Sequence, residues 1–287
     1  MQFIEIMKII LLGIIEGVTE WLPVSSTGHL ILFDRFFPLT DVSKGFSDMF
    51  EYVVQLAAIL AVVVVFFKKI FPLAKAQTET GKTTLVWQKD VLSMWTKVIV
   101  ACVPAVFALL VDKLFEGISE TVETTIIALA LIVYGAVFLL IETLNKKDAK
   151  IKEISSLSYK YAFFIGLFQV LASVPGTSRS GITIIGALLL GVSRTTAAEF
   201  TFFLAIPTMV GASAYKLLKF FMENGAMTNA EIGYLLIGCA VAFVVSLFTI
   251  KFLMDFVKKH DFKLFGWYRI GLGALVMGVL VIPALIG

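Results

Sequence analysis

The stretch Trp21-Leu22-Pro23-Val24-Ser25-Ser26 interrupts an apolar segment over about 3–37, and Val174-Pro175-Gly176-Thr177-Ser178 interrupts a second one over about 159–191. Each apolar arm has about 11–18 residues, which is short for crossing a bilayer. A polar interruption with Pro or Gly is tolerated at membrane depth only where protein or a water-filled cavity surrounds it. Both segments are therefore predicted to be re-entrant helical hairpins.

The composition of the whole chain is that of a membrane protein. Apolar residues make up 59% of the sequence and charged residues 16%, with a mean hydropathy of +0.95. Soluble domains have about 45–50% apolar and about 25% charged residues. We predict one all-α polytopic membrane domain over 1–287 with six transmembrane helices. These spans are predicted at about 46–67, 91–111, 121–142, 195–221, 230–255 and 264–286.

The two halves of the chain repeat. Gly13-Ile14-Ile15-Glu16 aligns without gaps with Gly166-Leu167-Phe168-Gln169, and Ser25-Ser26-Thr27-Gly28 aligns with Ser178-Arg179-Ser180-Gly181. Each half contains one hairpin followed by three spans, the first half over 1–145 and the second over 155–287. Because three is an odd number, the second half must enter the membrane upside down. The sequence thus predicts an inverted-topology repeat, whose binding sites form near the midplane from broken helices.

Loop charge predicts the orientation independently. The loops 68–90, 143–160 and 256–263 are rich in lysine, whereas 112–120 has a single lysine and 222–229 has no lysine or arginine. Lysine-rich loops are expected on the cytoplasmic side. Both termini then lie outside, and the hairpins enter from opposite sides with their tips meeting inside the membrane. The net charge of +3 is small, and the lysines that contribute to it lie in these loops, where they indicate topology. No nucleic-acid partner is therefore expected.

Charged side chains at membrane depth are costly and therefore indicate function. Glu16 and Glu20 are four residues apart and share one helix face. They could bind a divalent metal or form a general acid/base pair; the alternative is capping or a structural hydrogen bond to the opposite hairpin. His29 can exchange a proton at neutral pH, whereas His260, in a lysine-rich loop, is expected to be solvated.

Hydroxyl side chains cluster at both interruptions, namely Ser25, Ser26, Thr27, Thr177, Ser178, Ser180 and Thr183. They could be ordinary N-caps, but free amides and the helix dipole at the same place also favour a phosphate. Gly176 and Gly181 allow close backbone approach. Arg179 offers a fork of donors for phosphate oxygens, or else a structural salt bridge to Glu16 or Glu20. Together these groups are typical of phosphoryl transfer, with donors for the anion and a hydroxyl nucleophile beside a histidine.

At these residues the chain resembles the bacterial undecaprenyl-diphosphate phosphatase family, which is linked to bacitracin resistance. The family pattern of Glu or Gln, three residues and Glu matches 16–20. The pattern Pro-Gly-X-Ser-Arg-Ser-X-X-Thr matches 175–183, and Pro-Val-Ser-Ser-Thr-Gly-His is present as 23–29. Length, spans and repeat also fit, so the resemblance covers essentially the whole chain.

The resemblance implies an enzyme of the bacterial inner membrane. The family dephosphorylates the undecaprenyl carrier diphosphate at the outer face, so that the monophosphate is reused in cell-wall synthesis; bacitracin acts on it only indirectly, by competing for the substrate. The catalytic set carried over is Glu20, Ser26, His29 and Arg179, with Glu16 and the remaining hydroxyls in support. The resemblance also implies a divalent cation, Mg²⁺ or Ca²⁺, for which Glu16 and Glu20 are the candidate ligands.

Some alternatives remain open at this point. The nucleophile could be Ser26, His29 or a directly activated water. A secondary transporter or anion channel could use the same broken helices to bind a carried anion, and a lipid scramblase could retain a vestigial site. Glycines such as Gly271 and Gly273 could mediate helix packing within the chain or in a homodimer.

Overall fold

The computed structural model describes residues 2–77, 83–115, 117–144 and 149–286. The described residues form helices and one small two-stranded ribbon, with 81% of residues in helices. The α-helices are α1 (Gln2–Thr19), α2 (Ser26–Phe36), α3 (Phe46–Val65), α4 (Phe67–Ile70), α5 (Lys89–Cys102), α6 (Ala108–Phe115), α7 (Glu120–Leu144), α8 (Tyr159–Val170), α9 (Arg179–Leu189), α10 (Arg194–Asn224), α11 (Asn229–Val257), α12 (Lys263–Val276) and α13 (Ile282–Ile286).

Six helical segments of the described chain are long and apolar enough to cross a membrane. They are Phe46–Val65, Lys89–Phe115, Glu120–Leu144, Arg194–Asn224, Asn229–Val257 and Lys263–Ile286. The six predicted spans are thereby confirmed, with ends that move by a few residues. Side-chain caps help to set these ends: Ser193 accepts a hydrogen bond from the backbone of Thr196 at the start of α10, and Thr228 forms a capping box with Glu231 at the start of α11.

The second span is not one continuous α-helix. A 3₁₀ turn, Val103–Phe107, separates α5 from α6 and contains Pro104. Proline has no amide hydrogen and disrupts the regular helical ladder, which accounts for the change of helix type at this point. A 3₁₀ turn, Ile154–Ser156, also precedes α8, and a π-helical turn, Met277–Val281, joins α12 to α13.

The loop 68–90 contains a two-stranded antiparallel ribbon that the sequence did not predict. Strand β1 (Leu73–Gln77) pairs with β2 (Thr83–Trp87), and Leu73 lies opposite Trp87. The second strand consists of Thr, Leu, Val and Trp, which favour extended structure. The loop-charge prediction falls partly on Lys82, Lys146 and Lys147, and these residues lie outside the described part of the chain, as do Met1 and Gly287.

Two pairs of short helices lie among the spans. Residues 20–25, here called the first break, separate α1 from α2, and residues 171–178, the second break, separate α8 from α9. Helix α1 packs against α11 and α3, while α2 packs against α7 and α12. Helix α8 packs against α5, and α9 packs against α10 and α7. Both breaks are therefore enclosed by other helices, as a break at membrane depth requires.

An aromatic layer lies next to the first break and consists of Trp21, Phe66, Phe202 and Phe203. Trp21 is 1% exposed and meets the ring of Phe202 edge-on, with 5.3 Å between ring centroids. Phe66 contacts Phe202 and Phe203 at 6.1 and 5.3 Å. Phe203 also lines a separate pocket beside lysine-rich loops. The aromatic layer thus separates the first break from the lysine-rich end of the bundle.

Candidate active site

The first break leaves the N-terminus of α2 open. Helix α1 ends at Thr19, and α2 begins at Ser26. The residue between them that would cap α2, Ser25, has φ +73° and makes no side-chain capping bond. Positive φ is uncommon for a residue with a Cβ and marks local strain. The buried hydroxyl of Ser25 has no hydrogen-bond partner among the described residues, so the first amides of α2 remain available.

The second break is closed by regular capping. Ser178 caps α9, and its Oγ accepts a hydrogen bond from the backbone N of Gly181 at 3.1 Å. Gly176 has φ +82°, and a Cβ there would lie 2.6 Å from the Cα of Ile127 on α7. Only glycine fits this conformation and this close approach. The hydroxyl of Ser180 donates to the backbone O of Glu20 at 3.1 Å, which joins the two breaks.

An ion pair crosses between the breaks. Nη2 of Arg179 lies 2.5 Å from Oε1 of Glu20, and the two side chains are 18% and 8% exposed. The other carboxylate oxygen of Glu20 accepts a hydrogen bond from Oγ of Ser26 at 3.3 Å. Nη1 of Arg179 donates to Oγ1 of Thr208 on α10 at 3.3 Å. The structure therefore brings together a guanidinium, a carboxylate and a hydroxyl from three separate helix ends, and it contains the Arg179–Glu20 pair considered as an alternative above.

A cavity of about 510 Å³ opens beside this ion pair. Eight of the predicted site residues line it: Glu20, Ser25, Ser26, Thr27, Gly176, Thr177, Ser178 and Arg179. The hydroxyl of Thr177 is buried without a partner among the described residues. The N-termini of α2 and α9 both face this space through their first residues, Ser26 and Arg179. Such an arrangement is suited to an anion with several oxygen atoms.

Two other predicted residues support the site from behind. Ser180 is buried, and its Oγ lies 3.2 Å from Oγ of Ser178. The hydroxyl of Thr183 donates to the backbone O of Arg179 at 2.9 Å and accepts from the hydroxyl of Thr201 at 3.0 Å. Ser180 and Thr183 therefore hold the first turn of α9 and do not line the cavity.

His29 faces helix α12 and not the cavity. Its Nδ1 lies 2.7 Å from the backbone O of Ser25, and its Nε2 lies 2.7 Å from the hydroxyl of Tyr268. The rings of His29 and Tyr268 stack with 5.6 Å between centroids. Both ring nitrogens are thus engaged, and neither contacts Ser26 in this arrangement.

Glu16 lies one helical turn before Glu20 and is 2% exposed. Neither of its carboxylate oxygens has a hydrogen-bond partner among the described residues, and its charged neighbours are Glu20, Glu51 and Arg179. In the same part of the chain, no group of three or more His, Cys, Asp or Glu side chains could hold a metal. Free carboxylate oxygens fit Mg²⁺ held jointly by one or two carboxylates and a substrate phosphate, but not a metal held by protein ligands alone.

Several residues of the site were not predicted. Other polar side chains that line the cavity are Tyr52, Gln55, Asp112, Glu123, Gln169, Ser173 and Thr208. Gln169 is the repeat partner of Glu16 and could have been found from that alignment. Arg269 is 1% exposed on α12 and contacts both breaks; as an arginine inside an apolar span, it meets the same criterion that identified Arg179.

Comparisons with known proteins identify the family. Residues 9–275 match the family described as bacitracin resistance protein BacA. A protein of Enterococcus faecalis named undecaprenyl-diphosphatase is 56% identical over 279 residues, covering 96% of this chain and 98% of that protein. Proteins of the same name from Lachnoclostridium phytofermentans and Desulfitobacterium hafniense are 53% and 52% identical, covering 97% and 96% of this chain and 98% and 96% of their own length. This chain belongs to the bacitracin resistance protein BacA family.

Proposed function

We propose that this protein is an undecaprenyl-diphosphate phosphatase of the bacterial inner membrane, which releases inorganic phosphate and returns the carrier monophosphate to cell-wall synthesis. Relatives that carry this name match it over nearly the whole chain. The observation that supports the chemistry is the contact of Glu20 with both Arg179 and Ser26 at one cavity. The names of these relatives describe hydrolysis, so the transporter alternative is not favoured.

The diphosphate binds between the two breaks in this proposal. Arg179 contacts its oxygens, and the uncapped amides at the start of α2 supply further donors. The prenyl chain stays in the lipid beside α6 and the 3₁₀ turn before it. This segment lines the cavity with Ala105 and Ala108 and exposes Val106 and Leu110. A substrate with an anionic head and an apolar tail thus finds both environments side by side.

In the mechanism, Oγ of Ser26 attacks the terminal phosphorus, and Glu20 accepts the hydroxyl proton. The bond between this phosphorus and the bridging oxygen breaks, and the lipid monophosphate leaves. The leaving oxygen of the monophosphate takes up the proton held by Glu20. Water then attacks the phosphoserine, Glu20 takes a proton from the water and returns it to Oγ of Ser26 as the P–Oγ bond breaks, and inorganic phosphate is released. His29 as nucleophile or proton carrier would require its ring to leave Tyr268, and direct attack by activated water remains a variant.

A divalent cation fits the carboxylate side of this site. Glu16, with both oxygens free of hydrogen bonds, and Glu20 would hold Mg²⁺ or Ca²⁺ together with the phosphate. Such a cation would neutralise charge on the phosphoryl group. The other steps depend on side chains of the protein: Arg179 orients the anion, and Glu20 accepts the proton of the Ser26 hydroxyl.

We also propose that α1–α2 and α8–α9 are re-entrant hairpins of an inverted-topology repeat, over 1–145 and 155–287. The short length of these helices, the enclosure of both breaks and the bonds from Arg179 and Ser180 to Glu20 support this arrangement. Asp112, the first residue of the lysine-poor loop 112–120, and Glu123, three residues after this loop, line the cavity. We therefore place the cavity opening and both termini on the outer side.

In this proposal bacitracin acts only by competing for the lipid substrate.

Two glycines of α12 could mediate helix packing within the chain or in a homodimer. A Cβ at Gly273 would lie 2.8 Å from the backbone O of Ala128 on α7, so this glycine serves packing within the chain. Gly271 has open space around it and could face lipid or a second subunit.

The decisive experiment measures phosphate release from undecaprenyl diphosphate by the purified protein in detergent. We expect steady release of one phosphate per lipid and accumulation of the monophosphate. A matched preparation of Arg179→Ala excludes a contaminating phosphatase. If the folded wild-type protein leaves the lipid intact with Mg²⁺ or Ca²⁺ present, the proposed function is wrong.

A further inference from the structure

A buried arginine lies behind the two breaks, and the mechanism above does not use it. Arg269, on α12, is 1% exposed. Its Nη1 donates to the backbone O of Pro23 at 3.4 Å, and its Nη2 donates to the backbone O of Gly176 at 3.3 Å. One guanidinium therefore contacts the first break and the second break at the same time.

The two carbonyl groups occupy equivalent places in the repeat. Pro23 lies two residues before Ser25, the N-cap of α2, and Gly176 lies two residues before Ser178, the N-cap of α9. Because Ser25 aligns with Ser178, Arg269 bridges repeat-related atoms. A planar guanidinium can do this because its donors point apart in a fixed fork, whereas a lysine offers one compact ammonium group.

The surrounding helices hold the guanidinium in place. A Cβ at Gly181 would lie 3.2 Å from Nη1 of Arg269, so the absence of a side chain in the first turn of α9 makes room for it. On its other side, the guanidinium carbon lies 5.8 Å from the ring centroid of Tyr134 on α7. The neighbouring residue on α12, Tyr268, binds His29.

The charge of Arg269 has no carboxylate partner among the described residues, unlike the charges of Arg179 and Arg194, which pair with Glu20 and Glu142. Its Nε is also buried without a hydrogen-bond partner in this part of the chain. A buried cation without a counterion is costly. This cost is offset if an anion that the protein binds supplies the missing negative charge.

We propose that Arg269 is a positioning residue of the phosphate site. Its fork keeps the N-terminal turns of α2 and α9 in register, and its unpaired charge increases the affinity for the diphosphate that Arg179 contacts directly. The identity of this anion rests on the proposed phosphatase function. The role differs from that of Arg179, because Arg269 does not line the cavity. It acts through its hydrogen bonds to the backbone of the two breaks and through the electrostatic field of its positive charge.

Two variants separate these contributions. Arg269→Gln removes the charge, whereas Arg269→Lys keeps the charge and cannot span both carbonyl groups. The purified proteins are compared in detergent by kcat and KM for undecaprenyl diphosphate. Their dissociation constants for pyrophosphate are measured separately, from the rise in unfolding temperature that added pyrophosphate causes. Arg194→Gln is the matched control, since it breaks a salt bridge to buried Glu142 on other helices.

For Arg269→Gln we expect pyrophosphate affinity to fall roughly 10-fold, the scale of one buried charge acting through space. For Arg269→Lys we expect pyrophosphate affinity within about 3-fold of wild type, while kcat falls about 100-fold because a small displacement of the site slows the reaction. Arg194→Gln should lower the unfolding temperature and leave kcat and pyrophosphate affinity unchanged, as a purely structural change would.

Wild-type pyrophosphate affinity in folded Arg269→Gln, or wild-type kcat in Arg269→Lys, would overturn the proposal. If Arg269→Gln does not fold, Arg269→Lys decides alone: reduced kcat with retained affinity supports the role, and unchanged kcat refutes it. A wild-type protein that binds pyrophosphate yet leaves undecaprenyl diphosphate intact would refute the phosphatase function, while the pyrophosphate comparison would still test Arg269.

Discussion

The first and second breaks align along their serine stretches, yet they are built differently. In the second break, Ser178 caps α9, and the hydroxyls of Ser180 and Thr183 are hydrogen-bonded in the first turns of that helix. Of the buried hydroxyls there, only that of Thr177 has no hydrogen-bond partner among the described residues. In the first break, Ser25 has a positive φ, and among the described residues its hydroxyl has no hydrogen-bond partner. The same holds for both carboxylate oxygens of Glu16, which lies on α1 just before the break. From this comparison we expect a division of labour, in which the capped second break holds Arg179 in place and the strained first break positions the reacting groups beside it.

The largest effect should come from the hydroxyl of Ser26, which directly follows the first break. Ser26→Ala removes the group that contacts Glu20, and we expect kcat to fall by about 10⁶-fold, the scale of losing a nucleophile. The labelled phosphoenzyme trapped in wild type should also disappear. Ser193→Ala, which removes the cap of α10, is the control and should keep wild-type turnover. Full activity of Ser26→Ala would exclude this serine and favour activated water.

The next largest effect should come from Arg179, the cation that directly follows the second break. Arg179→Ala should reduce kcat/KM about 1,000-fold, because an arginine that stabilises a transferring phosphoryl group contributes on this scale. The variant should still insert and elute as a folded protein from a sizing column. Arg179→Lys should recover only part of the loss, since it lacks the fork. Near-normal turnover of Arg179→Ala would remove this residue from the mechanism.

A smaller effect tests the carboxylate that distinguishes the breaks. Glu16→Gln places a glutamine on the helix before the first break, as Gln169 is placed on the helix before the second break. We expect the Mg²⁺ concentration for half-maximal activity to rise about 10-fold, the scale of weakening one metal contact. Glu5→Gln alters another buried glutamate of α1 and should leave the Mg²⁺ dependence unchanged. The same Mg²⁺ response in Glu16→Gln and wild type would contradict a metal role.

The smallest effects concern stability and should have opposite signs. Ser25→Gly relieves a positive φ and should raise the free energy of unfolding by about 1 kcal/mol. Ser178→Ala removes a bonded N-cap and should lower it by about 1 kcal/mol. Unfolding by denaturant in detergent measures both. A loss of stability in Ser25→Gly would mean that the backbone of the first break is not strained.

The sequence predicted the six spans, the positions of both breaks and eight of the residues lining the cavity. Long apolar runs predict the spans because about 20 apolar residues are needed to cross a bilayer. Polar interruptions predict the breaks because they are tolerated at membrane depth only where protein or a cavity surrounds them. The direction in which His29 points could not be predicted, because it depends on Tyr268, which is distant in sequence. The capping of Ser178 and the strain at Ser25 were equally hidden, because aligned serines look alike until the backbone angles are known.

The aromatic layer has a consequence for the direction of traffic. Trp21, beside Glu20, packs on Phe202, and Phe66 and Phe203 continue the contact toward the lysine-rich end. A charged headgroup passing that way would have to part these rings and shed its hydration among them, which is very costly. We therefore expect the diphosphate headgroup to enter and leave the cavity on the side away from the aromatic layer, and not to pass between these rings.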